Sequence, residues 1–203
     1  MNLVIDYGVG NVASIRKMLL KAGIDDVAVS GDPAAVETAD RLILPGVGAF
    51  DDAMGRLRAT GLVPLLERRV LEENVPVLGI CLGMHMLGRR SDEGQAEGLG
   101  WIDAETVAIE ARPGRRVPHI GWNTVRDVNG SPLFTDIAAD DRFYFLHSFE
   151  IRCDDPADVA ARSEYGETFE CAVRRGNIHG VQFHPEKSHG AGLRLLESFA
   201  RNT

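Results

Sequence analysis

Hydrophobic residues follow two different rhythms along this chain. In the first half, short apolar runs alternate with amphipathic stretches. Residues 3–7 read as a strand, and Asn11 can cap a helix whose apolar positions include Val12, Ile15, Leu19 and Ala22, with Gly23 as its stop. Val27–Ser30 is a short second strand, and 41–44 is a third, ended by Pro45-Gly46. Helical text runs over 62–73. A fourth strand follows at 75–80, and a helix should begin just after Cys81. Strands that alternate with helices imply a parallel sheet covered on both faces.

The second half changes character. Segments 101–111, 117–125, 142–153, 159–165, 168–174 and 177–183 are rich in Val, Ile, Phe, Tyr and Thr and are separated by Gly, Pro, Asp and Asn. Several read as antiparallel additions to the sheet. Leu193, Leu196 and Phe199 suggest a closing C-terminal helix. No repeat, low-complexity tract or linker interrupts the pattern, so one α/β domain over 1–203 is expected.

Composition narrows the class. Of 203 residues, 44% are hydrophobic and 26% charged, which argues against disorder. The net charge of -8 argues against a global attraction to nucleic acid or an anionic membrane surface, leaving only a local basic patch open. Met1 leads straight into strand-like text, no signal-peptide pattern is visible, and no apolar run is long enough for a bilayer. Cys81, Cys153 and Cys171 are an odd, widely spaced set, neither a disulfide framework nor a zinc pattern. A reducing, cytoplasmic setting is expected.

Candidate chemistry begins at Gly79-Ile80-Cys81-Leu82-Gly83. An apolar strand runs into Gly-x-Cys-x-Gly and a helix follows, the cysteine form of a nucleophile elbow. The turn is tight, and a side chain on either flank would obstruct it. The helix N-terminus behind it offers positive partial charge and free N–H groups, which favour a thiolate. A free cysteine is more often a buried small hydrophobe; the flanking glycines argue the other way.

Val181-Gln182-Phe183-His184-Pro185-Glu186-Lys187-Ser188 carries the second element. On extended backbone His184 and Glu186, two apart, project to the same side, and Pro185 biases His184 toward that conformation. A carboxylate beside an imidazole fixes its tautomer and stabilises its cation. A surface His beside a salt-bridged Glu is the bland reading of such a pair, and a metal site lacks companion ligands. With the elbow, the pair reads as a Cys–His–Glu relay.

Two other classes fit parts of the sequence. Gly8-Val9-Gly10-Asn11-Val12-Ala13 has the form of a dinucleotide-binding fingerprint, with Asp32 near the place of a ribose-binding acid. That reading leaves the elbow and the His-Pro-Glu segment unexplained. A cysteine peptidase or other thiol hydrolase could use the same triad.

Gly-Ile-Cys-Leu-Gly-Met together with Val-Gln-Phe-His-Pro-Glu-Lys-Ser resembles the class I, triad-type glutamine amidotransferases. More narrowly, the chain is similar to the glutaminase subunits of imidazole glycerol phosphate synthase; a glutaminase serving another pathway is the alternative, and the Trp122-Asn123 element argues against it. Asp6-Tyr7-Gly8-Val9-Gly10-Asn11, Leu44-Pro45-Gly46-Val47-Gly48-Ala49-Phe50, Pro118-His119-Ile120-Gly121-Trp122-Asn123 and Tyr144-Phe145-Leu146-His147-Ser148 support the narrower resemblance in order over essentially the whole chain. The resemblance implies a three-layer fold with a mostly parallel central sheet and added antiparallel strands. It implies hydrolysis of glutamine by Cys81, His184 and Glu186. The ammonia would pass to a barrel-type cyclase subunit in a heterodimer of histidine biosynthesis. No cofactor and no metal are implied.

The resemblance further implies an oxyanion hole from the N–H groups of Leu82 and Val47, and substrate contacts at Gly48, Gly83, His85 and Ser148. The glycines around Val47 leave its peptide room to reorient when the partner binds. Asn11, Trp122, Asn123, Tyr144 and Lys187 fall at the implied cyclase contact. Two positions depart from the family pattern. His85 stands where Gln is usual, and Phe149 where Tyr is frequent, so the hold on glutamine and its pH dependence are altered expectations.

Overall fold

A computed structural model describes residues 1–203. The first half contains β1 (Asn2–Ile5), α1 (Val12–Lys21), β2 (Val27–Ser30), α2 (Pro33–Thr38), β3 (Arg41–Gly46), α3 (Phe50–Ala59), α4 (Val63–Glu67), β4 (Val77–Cys81) and α5 (Leu82–Leu87). The second contains β5 (Arg90–Ser91), β6 (Ala104–Ala108), β7 (His119–Thr124), β8 (Arg126–Asp127), β9 (Arg142–His147), β10 (Phe149–Cys153), β11 (Val159–Glu164), β12 (Thr168–Arg175), β13 (Ile178–Val181) and α6 (His189–Asn202).

The main sheet runs β2-β1-β3-β4-β13-β12-β10-β6-β5, with β11 on β12 and β8 on β11. From β2 to β13 every neighbour is parallel. Beyond β13 the pairs β13–β12, β12–β10 and β10–β6 are antiparallel. The central strands are buried on both faces, and their period-2 alternation divides the core. Leu3, Ile5, Leu42 and Leu44 pack with Met54 and Leu57 of α3 and Leu66 of α4. Val4, Ile43, Leu78 and Ile80 pack on the other side with Ile15 and Leu19 of α1 and Leu195, Leu196 and Phe199 of α6. Helices therefore cover both faces of the sheet, the three-layer arrangement of the α/β class.

Several expectations need correction. The third strand runs through Pro45 to Gly46, which pair with Ile80 and Cys81 of β4. Pairing of β3 with β1 has already ended at Ile43, so Pro45 lies where β3 is open on that side. Asn11 occupies the N-cap position of α1 but makes no capping bond; its amide goes elsewhere, as described below. Segment 142–153 is two strands, broken at Ser148. Its first part, β9, pairs only with β7, in a two-stranded ribbon apart from the main sheet. Leu193 is half-buried, and α6 turns Leu195 to the core instead. Helices α2 and α3 were not foreseen, although Asp32 before Pro33 caps α2 and Asp51, Asp52 and Arg56, Arg58 sit at the favoured ends of α3.

Candidate active site

β4 delivers Cys81 at the carboxyl end of the parallel strands, and α5 starts at the next residue. Cys81 holds φ +53° and ψ -112°, a conformation that L-residues rarely adopt. The flanking glycines make the turn possible. A Cβ on Gly79 would lie 2.6 Å from the Gly83 carbonyl oxygen, and one on Gly83 would lie 2.0 Å from the Leu44 carbonyl oxygen. No side chain fits at either place, so the strain at Cys81 is enforced from both flanks.

β13 lies parallel to β4, with Val181 opposite Ile80, so the segment that follows it reaches the same end of the sheet. The His184–Glu186 pair is formed differently from the expected strand alternation. β13 ends at Val181, His184 is extended, and Pro185–Lys187 make one 3-10 turn. That turn brings Glu186 Oε1 to 2.9 Å from His184 Nδ1. Asn11 Nδ2 donates to the same oxygen at 3.1 Å. The segment is stapled to β9: His184 N donates to the Tyr144 carbonyl at 2.9 Å, Tyr144 N to Ser188 Oγ at 2.9 Å, and Ser188 Oγ to the His184 carbonyl at 2.6 Å.

Electrostatics follow from this packing. Burial disfavours the imidazolium of His184, but its interactions with Cys81 and Glu186 outweigh that and lift its pKa to about 9. Burial also resists ionisation of Glu186, yet the hydrogen bond and charge of His184, aided by Asn11, hold its carboxyl below the usual range. Cys153 and Cys171 stand in contrast. Burial pushes both thiols up, aided at Cys153 by Glu170.

Cys81 and His184 open on a cavity of about 300 Å³. Val47, Gly48, Leu82, His85, Ser148 and Lys187 share its wall. Leu82 is the first residue of α5, where helix N–H groups have no carbonyl partner within the helix. Gly48 has φ +88°. Gly83, expected at the substrate, is instead fully packed under the elbow. Glu93 and His147 are the two titratable lining residues that the sequence did not single out. Glu93 accepts the Phe50 N–H at 3.0 Å, and burial raises its pKa. His147 Nδ1 donates to the Phe149 carbonyl at 2.8 Å and its Nε2 lies 3.0 Å from His119 Nδ1, with its pKa pulled down to about 3 by burial. Spacing offered no signal for Glu93, which lies in a loop beyond α5. A larger cavity of about 410 Å³, walled by Arg126, Asp127, Phe134, Arg162, Glu164 and Thr168, is lined by no cysteine or histidine.

Of the five residues expected at a partner contact, Lys187 lines the Cys81 cavity and the other four do not. Trp122 is 45% exposed, edge-on to Tyr144 and 5.1 Å from the His189 ring. Lys187 Nζ lies 5.8 Å over the Tyr144 ring. The Asn123 amide is tied to the Glu164 carbonyl. Asn11 is half-buried and engaged with Glu186. The fingerprint-like segment is otherwise employed: Asp32 accepts the Ala34 N–H at 2.9 Å and caps α2. No three His, Cys, Asp or Glu side chains gather as a metal-binding group.

Comparison with known proteins decides the family. The family model for class I glutamine amidotransferase matches residues 3–202. The chain belongs to the class I glutamine amidotransferases, in their HisH branch. It is 44% identical to imidazole glycerol phosphate synthase subunit HisH 2 of Methanococcus maripaludis, covering 99% of each chain. It is 48% identical to the subunit HisH 2 of Pseudomonas aeruginosa, covering 98% of each. Among solved structures, a glutamine amidotransferase superposes with TM-score 0.75 at 19% identity, over 98% of each chain. PurLQS from Thermotoga maritima superposes with TM-score 0.74 at 18% identity, over 99% of this chain and 97% of that one. At those identities the likeness concerns the fold alone.

Proposed function

We propose that the whole chain acts as one glutaminase domain of imidazole glycerol phosphate synthase, with Cys81 as nucleophile, His184 as acid–base and Glu186 as its orienter. The observation that carries this is the strained Cys81 at the end of β4, sharing one cavity with a His184 held by Glu186 at 2.9 Å.

The chemistry follows from those positions. With Nδ1 engaged by Glu186, His184 presents Nε2 toward the sulfur. The Cys81 sulfur attacks the glutamine carboxamide carbon, and the N–H groups of Leu82 and Val47 receive the developing oxyanion. His184 passes its proton to the departing nitrogen, which leaves as ammonia. Water then opens the thioester and gives glutamate. Glu93 supplies a carboxylate for the substrate's α-ammonium group, and Ser148 and Gly48 border its amino-acid end. His85 borders the carboxamide side of the cavity.

The ammonia goes to a barrel-type cyclase subunit that docks over the cavity mouth. Exposed large apolar side chains concentrate there: Val47, Val117, Ile120, Trp122 and Leu146. Ile120 is opposite Leu146 and Trp122 opposite Tyr144 across the β7–β9 ribbon, so the four make one face. Such a cluster marks an interaction surface, and Trp122 is its natural anchor. Asn11, Asn123 and Lys187 border it. No helix is long and apolar enough to cross a membrane, and a cytoplasmic location fits a biosynthetic heterodimer. Treatment with a diazo-ketone analogue of glutamine tests the site. Labelling should map to Cys81 by peptide mass spectrometry and be slowed by glutamine. Labelling of Cys153 or Cys171 instead, or no protection by glutamine, contradicts the assignment.

A further inference from the structure

Gln182 is the one wholly buried amide beside the nucleophile, and its environment is asymmetric. It follows β13 directly, and its backbone N–H donates to the Cys171 carbonyl at 2.9 Å. Its side chain is 0% exposed. On one side Oε1 lies 2.8 Å from His85 Nε2. On the other, Nε2 lies 3.9 Å from Cys81 Sγ. A second contact reaches the sulfur from β9, where the Leu146 carbonyl lies 4.0 Å away and can accept only from the thiol form.

We propose that His85 and Gln182 form a relay that orients an amide N–H onto Cys81 and so favours its thiolate. This rests on the reading of Cys81 as the nucleophile. An amide is nearly symmetric in shape, so something must decide which end faces the sulfur. A thiolate accepts only, and a carbonyl oxygen turned toward it would repel it. Oε1 accepts only as well, so a His85 that carries its hydrogen on Nε2 locks the amide with Nε2–H toward Cys81. His85 on the opposite tautomer would invite the reverse orientation. Burial keeps His85 neutral, with its pKa drawn down to about 4 despite the bond to Gln182. The locked tautomer leaves Nδ1 as an acceptor on a ring that lines the substrate cavity. In this relay Gln182 touches the reacting sulfur, and His85 is a positioning residue.

The other titratable and charged groups around this cavity are His184, Glu186 and Lys187 after β13, His147 of β9 and Glu93 of the loop after β5. All stay in place in the variants chosen, so a shift in Cys81 titration belongs to the relay.

The test is the rate of Cys81 alkylation by iodoacetamide across pH, on the full chain without glutamine. This reads thiolate whether or not the glutaminase assignment holds. Gln182→Met keeps the volume and removes the N–H. Its alkylation rate at neutral pH should fall about tenfold, the equivalent of about one pH unit in the midpoint. In glutamate-release assays its kcat should fall with KM changed less than about twofold. His85→Phe should shift the profile in the same direction, and His85→Gln, which regains an N–H donor, should restore it. A Gln182→Met profile that superimposes on the parent's, in a variant with unchanged circular dichroism and melting, overturns the proposal. If Gln182→Met does not fold, the His85 pair decides: identical profiles for Phe and Gln overturn the relay, and rescue by Gln alone supports it.

Discussion

The elbow and the ribbon are built on opposite principles. At the elbow, β4 and α5 are buried throughout, two glycines leave no room for a Cβ, and Cys81 is held at positive φ. On the β7–β9 ribbon, one face carries Phe143, Phe145 and His119 into the core, while the other presents Ile120, Trp122, Tyr144 and Leu146 outward. Strain is stored where the surroundings overdetermine it. Apolar surface is left open where a second molecule is to cover it. On the proposed reading the nucleophile is set by this chain alone, whereas the ribbon face is the one a partner would complete. His184 and Ser188 join the two regions through their bonds to Tyr144, so a partner seated on the ribbon bears directly on the relay.

The largest effect is expected at the sulfur. Cys81→Ala should lower glutamate release by at least about four orders of magnitude, with the fold intact by circular dichroism. A residual rate near the parent's would end the nucleophile assignment. Next comes the ion cluster behind the ribbon. Arg115, 3% exposed, pairs with buried Glu150 and with Glu167. Removing one partner leaves an uncompensated buried charge, so Arg115→Ala should cost about 3–5 kcal/mol in urea unfolding. A loss below about 1 kcal/mol would show that the cluster is solvated. Gly83→Ala should cost about 3 kcal/mol or more, because its Cβ meets Leu44 backbone at 2.0 Å. Little loss in melting temperature would mean that the elbow can relax.

Trp122→Ala marks the other extreme. It should change stability by less than about 0.5 kcal/mol, yet weaken binding of the cyclase subunit by about 2 kcal/mol in titration calorimetry. Equal affinity for both forms would move the interface off the ribbon. The smallest effect is in pH. His184 has its pKa raised to about 9 in the fold. A raised imidazole stabilises the fold fully below its unfolded value near 6.5 and loses that contribution as pH rises through 9. The stability gap between the parent and His184→Gln should therefore shrink from pH 6.5 to 9. In Cys81→Ala the His184 titration seen by NMR should fall, because one of the two groups that raise it is gone. An unchanged midpoint would assign the whole shift to Glu186.

Much of this was legible along the chain, because local rules carried it. Alternation placed the buried strands, and Gly-Ile-Cys-Leu-Gly placed the elbow. His184 and Glu186 were paired from sequence, but their geometry was not: Pro185 starts a 3-10 turn instead of continuing the strand. Asn11 looked like a cap because position favours it, yet Glu186, 175 residues away, takes its amide. Glu93 and Gln182 carried no spacing signal, since each acquires its role from contacts that only the folded chain creates. The ribbon hid for the same reason. β7 and β9 have ordinary strand text, and nothing in it states which sheet they join.

On the proposed reading, this chain releases ammonia from glutamine at Cys81 for a partner seated on the ribbon. Glutamate release by the chain alone, and with the barrel cyclase and its nucleotide ligand, measures it most directly, with Cys81→Ala as control. Low activity alone, strong stimulation in the mixture and none in the control is the predicted result. Equal turnover with and without the partner would contradict the partner's role, and turnover that survives in Cys81→Ala would contradict the site.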